Sequence, residues 1–342
     1  MFARFVAILV CLVALGTPPR ASARGAARTT AAIASLSPTA RFMPTVGRRT
    51  VATSSPNLRF GGGTHGNGIE PSPRVYLVFW GRQWGTASTV SGNLVLTNDT
   101  KHVAPLLQRM FRGLAGSSDH WSTSTTQYCD KVAIGRVQCG TSGRHVTHPS
   151  VSPLAGVWLD SSANAPSSPG TSSYDAAVAR AAKHFGNTSA GANASVQYVL
   201  ATPHGVVPPG FGSQYCGYHD ASTGTAYGDL AYVALPYVPD AGSGCGAGFV
   251  HHNAAGAIDG VTIVAGHEYA EAVTDPFPDS GWLDTSGGEN GDKCAWIASG
   301  AGATVDISFS TGTFPMQSLW SNNAHGGRGG CSIYYVSATN QR

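Results

Sequence analysis

The segment VTIVAGHEYAEAVTDP, residues 261–276, combines an apolar run with a histidine and two carboxylates within five residues. Its first half is apolar, and its second half carries His267, Glu268 and Glu271. We predict a helix that ends before Pro276, because a residue that precedes proline is driven out of the α region. In this helix His267 and Glu271, four residues apart, lie on the same face.

Outward from this helix, strand-like and helix-like runs alternate along the chain. The strand-like runs are rich in β-branched and aromatic residues and are bounded by Gly or Pro; they cover residues 74–80, 156–159, 196–200, 230–237, 304–309 and 332–336. Predicted helices cover residues 102–114, 174–185 and 261–273, the second with Ser172 or Ser173 as its N-cap. The alternation predicts an α/β or α+β domain, with a layered mixed sheet, a few helices and many loops.

The N-terminal residues 1–23 have the pattern of a secretory signal peptide. Arg4 precedes an apolar run, and Ala21-Ser22-Ala23 matches a signal-peptidase site. We therefore expect a secreted protein of the extracellular space or cell wall. The apolar run is too short to span a bilayer, and no later stretch is long enough, so we predict no membrane span.

Residues 24–59 are rich in Ala, Thr, Ser and Arg and poor in large apolar side chains. Such a composition cannot offset the entropy of ordering, so it predicts a disordered leader or a propeptide cut near Arg48-Arg49. The single core domain is then expected over residues 60–342.

The net charge of +3 arises from this N-terminal part. Eight of the 21 basic residues precede Phe60, which leaves 13 basic and 18 acidic residues in the core. The core is thus acidic, and a nucleic-acid partner is not expected.

Six of the seven cysteines remain beyond the signal peptide, an even number that is typical of disulfides in an exported protein. Six cysteines allow fifteen pairings. Their order along the chain favours three links: Cys129–Cys139, Cys216–Cys245 and Cys294–Cys331.

The pattern H-E-x-x-E at 267–271 is close to H-E-x-x-H, in which two histidines hold zinc and the intervening Glu is the general base. By this comparison His267 and Glu271 are metal ligands and Glu268 is the catalytic base. An ordinary buried histidine on an Ala-rich helix is the alternative.

A second acidic group follows the helix at Asp284, Glu289 and Asp292. Glu289 or Asp292 is the expected third ligand. The cofactor that this set favours is Zn²⁺, with Mn²⁺ or Fe²⁺ also compatible because a carboxylate replaces the second imidazole. Without His267 the loop acids would suit Ca²⁺ or would simply solvate a turn. His65 and His219 are further candidates. His65 lies in a glycine-rich loop before the first strand, and His219 follows Cys216 by three residues on a turn that a disulfide would fix.

Several short motifs occur in an order that resembles the EXORDIUM / phosphate-induced protein family. They are Thr64-His65-Gly66-Asn67-Gly68 before the strand at 75–81, Cys216-Gly217-Tyr218-His219 after the strand at 196–202, the 267–276 segment, Glu289-Asn290-Gly291-Asp292-Lys293-Cys294, and Trp320 with Cys331-Ser332. The resemblance implies a secreted protein of the cell exterior or wall, linked in plants to growth, and brings no particular reaction.

Two functions follow as hypotheses. The first is a secreted metal-dependent hydrolase, peptidase-like, acting on an extracellular protein, peptide or cell-wall polymer. The second is a non-catalytic extracellular or wall-associated protein with a structural metal site or none. A base next to the first ligand, Glu268, favours the enzyme.

Overall fold

The computed structural model describes residues 35–48 and 56–335. The expected signal peptide and half of the expected leader, residues 24–34 and 49–55, lie outside these ranges. The strands, in chain order, are Arg41–Pro44 (β1), Arg59–Phe60 (β2), Arg74–Trp80 (β3), Ala87–Val90 (β4), Asn93–Leu96 (β5), Cys129–Asp130 (β6), Arg144–His145 (β7), Leu154–Asp160 (β8), Val196–Ala201 (β9), Tyr215–Thr225 (β10), Gly228–Leu235 (β11), Trp282–Leu283 (β12), Val305–Phe309 (β13), Gly312–Met316 (β14), Leu319–Ser321 (β15) and Gly330–Ser332 (β16). The helices are Val103–Gly113 (α1), Thr171–His184 (α2), Ala190–Asn193 (α3), Asp259–Thr274 (α4) and Ala324–Gly327 (α5).

A six-stranded mixed sheet with the order β1-β10-β11-β9-β3-β8 forms the centre of the fold. Strands β8, β3, β9 and β11 are parallel neighbours, while β10 is antiparallel to both β11 and β1. The remaining strands form two-stranded ladders. The predicted mixed, layered sheet is confirmed, and α/β alternation generates its parallel part.

Helices cover both faces of this sheet. On one face Tyr174 of α2 stacks on Tyr232 of β11, with ring centroids 5.9 Å apart, and meets Tyr218 of β10 edge-on at 5.7 Å. Because side chains alternate along a strand, the neighbours of Tyr218 point to the other face. There a Cβ added to Gly217 would lie 2.8 Å from Val264 of α4. The layers are therefore helix, sheet and helix, with α4 packed on β10.

Every residue of α4 is buried. The helix lies between the sheet and other elements, among them β14 and α1. The ring centroids of Phe111 in α1 and Tyr269 in α4 are 6.0 Å apart. A helix enclosed on all sides is apolar all round, which explains its run of Val, Ile and Ala. Its ionisable side chains consequently lie deep in the domain.

The expectation that residues 24–59 form a disordered leader does not hold for the part of this range that the structure describes. Arg41–Pro44 is an edge strand of the central sheet, paired antiparallel with β10, and Arg59–Phe60 pairs with Trp282–Leu283. Met43 is fully buried. Composition did not reveal this strand, because four residues are too few to show an apolar alternation. The strand is stabilised by backbone pairing with a distant segment.

Other boundaries shift by a few residues. Helix α2 begins at Thr171 with Gly170 at its N-cap, rather than after Ser172 or Ser173. The last strand among the described residues is Gly330–Ser332, which reaches only the first residue of the expected span 332–336.

The three predicted disulfides are confirmed: Cys129–Cys139, Cys216–Cys245 and Cys294–Cys331, with Cα–Cα distances of 5.9, 5.4 and 5.6 Å. Disulfides are typical of proteins that fold in an oxidising compartment. Among residues 35–48 and 56–335, no helix combines the length and the apolar character that a bilayer crossing requires.

Candidate metal centre

Helix α4 delivers three ionisable side chains to one buried place. His267, Glu268 and Glu271 are each 0% exposed. His267 Nε2 lies 3.0 Å from Glu271 Oε1, which is ion-pair distance, although the two atoms are not aligned as a hydrogen bond. His267 and Glu271 therefore lie on the same face of the helix, as their spacing predicts. Burying these groups is costly unless opposite charges or a cation compensate them.

Strand β10 contributes the side chain of His219 from the sheet. Its Nε2 lies 3.0 Å from Glu289 Oε2 and 3.7 Å from Glu271 Oε2, and the residue is 0% exposed. The sequence suggested a disulfide-bounded turn here, but His219 lies within a strand of eleven residues, Tyr215–Thr225. Alternation along β10 directs it toward α4, on the same face as Gly217.

The segment after β12 returns to α4 with two more carboxylates. Glu289 is 0% exposed, whereas the Asp292 side chain is 26% exposed. The Asp292 backbone N–H donates to Glu271 Oε1 at 2.8 Å, and Asp292 Oδ1 lies 3.7 Å from His267 Nε2. Between them Gly291 approaches so closely that an added Cβ would lie 2.8 Å from His267 Nδ1. The two acids predicted as third ligands thus both reach the site.

Gln317, just after β14, orients the imidazole of His267. Its Nε2 donates to the carbonyl of Gly291 at 2.9 Å, so its Oε1 is the acceptor facing His267 Nδ1 at 3.2 Å. His267 Nδ1 therefore carries a proton, and Nε2 is the nitrogen directed at Glu271. Sequence reasoning missed Gln317, because an isolated Gln beside a strand carries no local signal.

Five side chains form what we term the donor cluster: His219, His267, Glu268, Glu271 and Glu289. They fall into two groups whose ligand atoms lie within 4.8 Å of one another, one with His219, Glu271 and Glu289 and one with His267, Glu268 and Glu271. Glu271 belongs to both groups. It is consequently the central donor.

Each member of the donor cluster has one buried atom without a hydrogen-bond partner. The atoms are His219 Nδ1, His267 Nε2, Glu268 Oε2, Glu271 Oε2 and Glu289 Oε1. Buried polar atoms in native proteins are almost always paired with protein, water or an ion. Two imidazoles together with three carboxylates form a donor set that fits a divalent transition metal.

The two histidines have opposite pKa shifts. Burial lowers the pKa of His219 from 6.5 to about 4, with Glu271 acting in the other direction. Burial would also lower the pKa of His267, but Glu271, Glu268 and Asp292 outweigh it and raise the value to about 10. His219 is thus a neutral imidazole at neutral pH, and His267 is the partner of the ionised Glu271.

The pKa shifts of the carboxyl groups also have opposite directions. Burial raises the pKa of Glu268 and of Glu289 well above 4.5, and raises that of Asp292 from 3.8 to about 7. Burial also acts to raise the pKa of Glu271, but the charge of His267 and its contact keep it below 4.5. The cluster holds more acid groups than nearby positive charges can keep ionised, which a bound cation would correct.

The other candidates do not join the site. Asp284 accepts hydrogen bonds from backbone N–H groups of its own turn and pairs with Lys293 at 2.9 Å. These contacts are those expected if Asp284 serves its own turn, which is the alternative for the loop acids. The His65 side chain is 76% exposed and pairs with Asp229 at 2.6 Å, so it is not a member of the buried site.

Comparisons of this chain with protein-family models, with curated proteins and with solved structures find no match.

Proposed function

We propose that this chain is a secreted metal-dependent hydrolase of peptidase type. Its cation would be held by Glu271 together with His267, His219 and Glu289, with Asp292 at the exposed side and Glu268 as the base. The observation that carries the proposal is the burial of five donor side chains between α4 and β10, in two groups of three that share Glu271 and whose ligand atoms lie within 4.8 Å of one another in each group.

The donor set favours zinc over the other cations considered. His219 adds a second imidazole that the H-E-x-x-E motif by itself lacks. Two nitrogens with carboxylates are typical of zinc sites, whereas Ca²⁺ takes oxygen ligands only. The Ca²⁺ alternative built on Asp284 loses that ligand to Lys293.

A bound Zn²⁺ supplies Lewis-acid activation of a water and of a substrate carbonyl. Burial raises the pKa of Glu268 in the metal-free cluster, and a bound cation would lower it again, so that the unpartnered Oε2 could take up a proton from water and later return it to a leaving nitrogen. Gln317 holds His267 in one orientation through Nδ1. Glu271 is kept ionised by His267, which is the state that a ligand needs.

The second function, a non-catalytic extracellular or wall-associated protein with a structural metal, has its own support. All five members of the donor cluster are 0% exposed, and closed sites are typical of structural zinc. The resemblance to the EXORDIUM family is compatible with both functions. It supports an extracellular or cell-wall partner, whether protein, peptide or polymer.

Metal uptake tests the metal site, which both functions can include, and hydrolysis tests whether the protein is an enzyme. We expect chelator-treated protein to take up one equivalent of Zn²⁺ and to unfold at a higher temperature. Binding to the native state alone adds about 2.7 kcal/mol at 100 times the dissociation constant. No uptake and no thermal shift would refute the metal site. Uptake without cleavage of any protein, peptide or glycan would favour the structural function.

A further inference from the structure

The edge strand β1 lies next to the strand that carries His219 and contacts Glu268 of the donor cluster. It pairs antiparallel with β10 in the register Arg41↔His219, Phe42↔Tyr218 and Met43↔Gly217. Arg41 and Met43 therefore share the sheet face of His219, while Phe42 points to the opposite face. There its ring packs against Tyr218 at 5.2 Å.

The backbone of β1 contacts the proposed base. The Met43 N–H donates to Glu268 Oε1 at 3.3 Å. This approach depends on Gly217, since a Cβ at that position would lie 3.2 Å from Glu268 Oε1 and 2.8 Å from Val264. A main-chain amide of an extended segment thus lies where the proposed function requires a peptide to lie.

Charge also ties β1 to the site. Arg41 forms an ion pair with Asp279 and acts to lower the pKa of Glu289 and of Asp292. Arg41 is part of β1, so this positive charge reaches the acid-rich cluster from the segment itself. An extended peptide with a basic residue in this position would make the same interaction.

We propose that the β10 edge beside Glu268 is the binding site for an extended polypeptide, and that Arg41–Pro44 is its built-in occupant, which inhibits the site while it is bound there. The inference rests on the proposed function and names its substrate class. Adding a strand to a sheet edge is an established mode of peptide recognition, in which backbone hydrogen bonds give affinity and alternate side chains give specificity. In the absence of β1, β10 would be the edge strand on this side of the sheet described here.

A cleavable form of the full chain tests the proposal. A recognition sequence for a site-specific protease is inserted after the exposed Arg48, and the Zn²⁺-loaded protein is cut and separated from its N-terminal fragment. We expect Zn²⁺ to pass to a chromogenic chelator at least about tenfold faster after cutting, because the donor cluster loses its cover. A fluorescent synthetic peptide of residues 35–48 should rebind and restore the slow rate.

Modified peptides identify the contact. N-methylation at Met43 removes the N–H that reaches Glu268 and should weaken rebinding at least about tenfold, whereas N-methylation at the exposed Gly47 is the matched control. In the uncut chain, Phe42→Ala loosens β1 from the opposite face and should also speed chelator access. Val46→Ala, at an exposed position, should leave the rate unchanged.

The outcomes separate this proposal from the hydrolase itself. Rebinding that is indifferent to methylation at Met43, or chelator access that is unchanged after cutting and in Phe42→Ala, would overturn the strand site. If no metal binds, peptide rebinding still decides whether the strand site exists. Rebinding and faster metal access without hydrolysis would support the strand site and count against the enzyme.

Discussion

Gln317 Oε1 lies 3.2 Å from Nδ1 of His267, and the same amide donates to the carbonyl of Gly291. The amide group is therefore fixed at both ends, and it determines which imidazole nitrogen faces Glu271. Metal-binding histidines usually donate their second N–H to such a partner, which orients the ring and raises its basicity. We infer that Gln317 would support a metal bound at His267 without being a ligand itself.

Removing this support should weaken metal binding and leave the ligands in place. In Gln317→Leu the Nδ1–H of His267 loses its acceptor, and we expect a 10- to 100-fold loss of Zn²⁺ affinity, roughly the range for such partners. Competition with a chelator of known affinity measures it. Gln108→Leu is the matched control, since Gln108 is also buried and bonded to backbone, but in α1. Equal affinity losses in both variants would show a general effect of destabilisation.

The same substitution at two positions of α4 separates catalysis from binding. Glu268→Gln removes the base and keeps the shape, so the metal content should persist while hydrolysis falls by about 10²–10⁴-fold. Glu271→Gln changes the central donor and should lose the metal. Metal analysis and peptide hydrolysis on both variants give the answer. Full activity in Glu268→Gln would refute the mechanism.

Metal binding should release protons near neutral pH. With a pKa of about 10, His267 of the metal-free protein holds a proton that a metal at Nε2 must displace. We expect affinity to rise with pH up to about 10, roughly tenfold per pH unit for each displaced proton. Calorimetric titration in buffers of different ionisation enthalpy counts the protons. Zero release at pH 8 would contradict Nε2 of His267 as a ligand.

The raised pKa of His267 also predicts how the stability of the metal-free protein depends on pH. Because the folded pKa of His267 is raised above 6.5, its contribution is fully present below pH 6.5 and is lost as pH rises through about 10. Metal-free protein should therefore lose stability across this interval, and the metal-bound protein should lose less. Denaturant titrations at pH 6.5 and 9.5, with and without Zn²⁺, measure the difference.

The helix that carries the site was predictable, because its pattern is local. The predicted span 261–273 differs from Asp259–Thr274 by three end residues, and His267 and Glu271 share a face as helical geometry requires. The parallel strands were also predictable from their β-branched and aromatic runs. These features depend on periodicity within one segment.

The parts that sequence reasoning missed depend on long-range contacts. His219 was considered only as a loop residue, because Gly217 and Asp220 interrupt the apolar alternation of β10. Arg41–Pro44 pairs with a strand more than 170 residues away, and nothing in its composition reveals that partner. Disulfide order was easier, since each pair joins cysteines that are successive along the chain.

The link Cys294–Cys331 should matter most for the site. Its sequence separation is 37 residues, against 10 for Cys129–Cys139, so the chain-entropy estimates are about 4 and about 3 kcal/mol. Cys294 also ends the short turn that begins at Asp292. Replacing both members of the longer link by Ala should lower stability and metal affinity together. The same change in the shorter link should lower stability alone, as denaturant and chelator titrations would show.

Glu70 provides a pH test outside the donor cluster. It is 1% exposed, burial raises its pKa from 4.5 to about 8, and the hydrogen bond that Gln197 Nε2 donates at 2.9 Å offsets this only in part. The folded protein thus keeps a proton that the unfolded chain has lost above pH 4.5. Stability should fall as pH rises from 4.5 to about 8, by up to roughly 1.4 kcal/mol per pH unit from this group.

Glu70→Gln removes this titration and keeps a carbonyl oxygen to accept from Gln197. We expect the stability of the variant relative to wild type to increase steadily between pH 5 and pH 8, because only the wild type loses stability through Glu70. Urea unfolding of the chelator-treated proteins at pH 5 and pH 7.5 measures the difference, and the donor cluster contributes equally to both. If the gap between the two proteins is the same at both pH values, Glu70 is ionised in the folded state and its raised pKa is wrong.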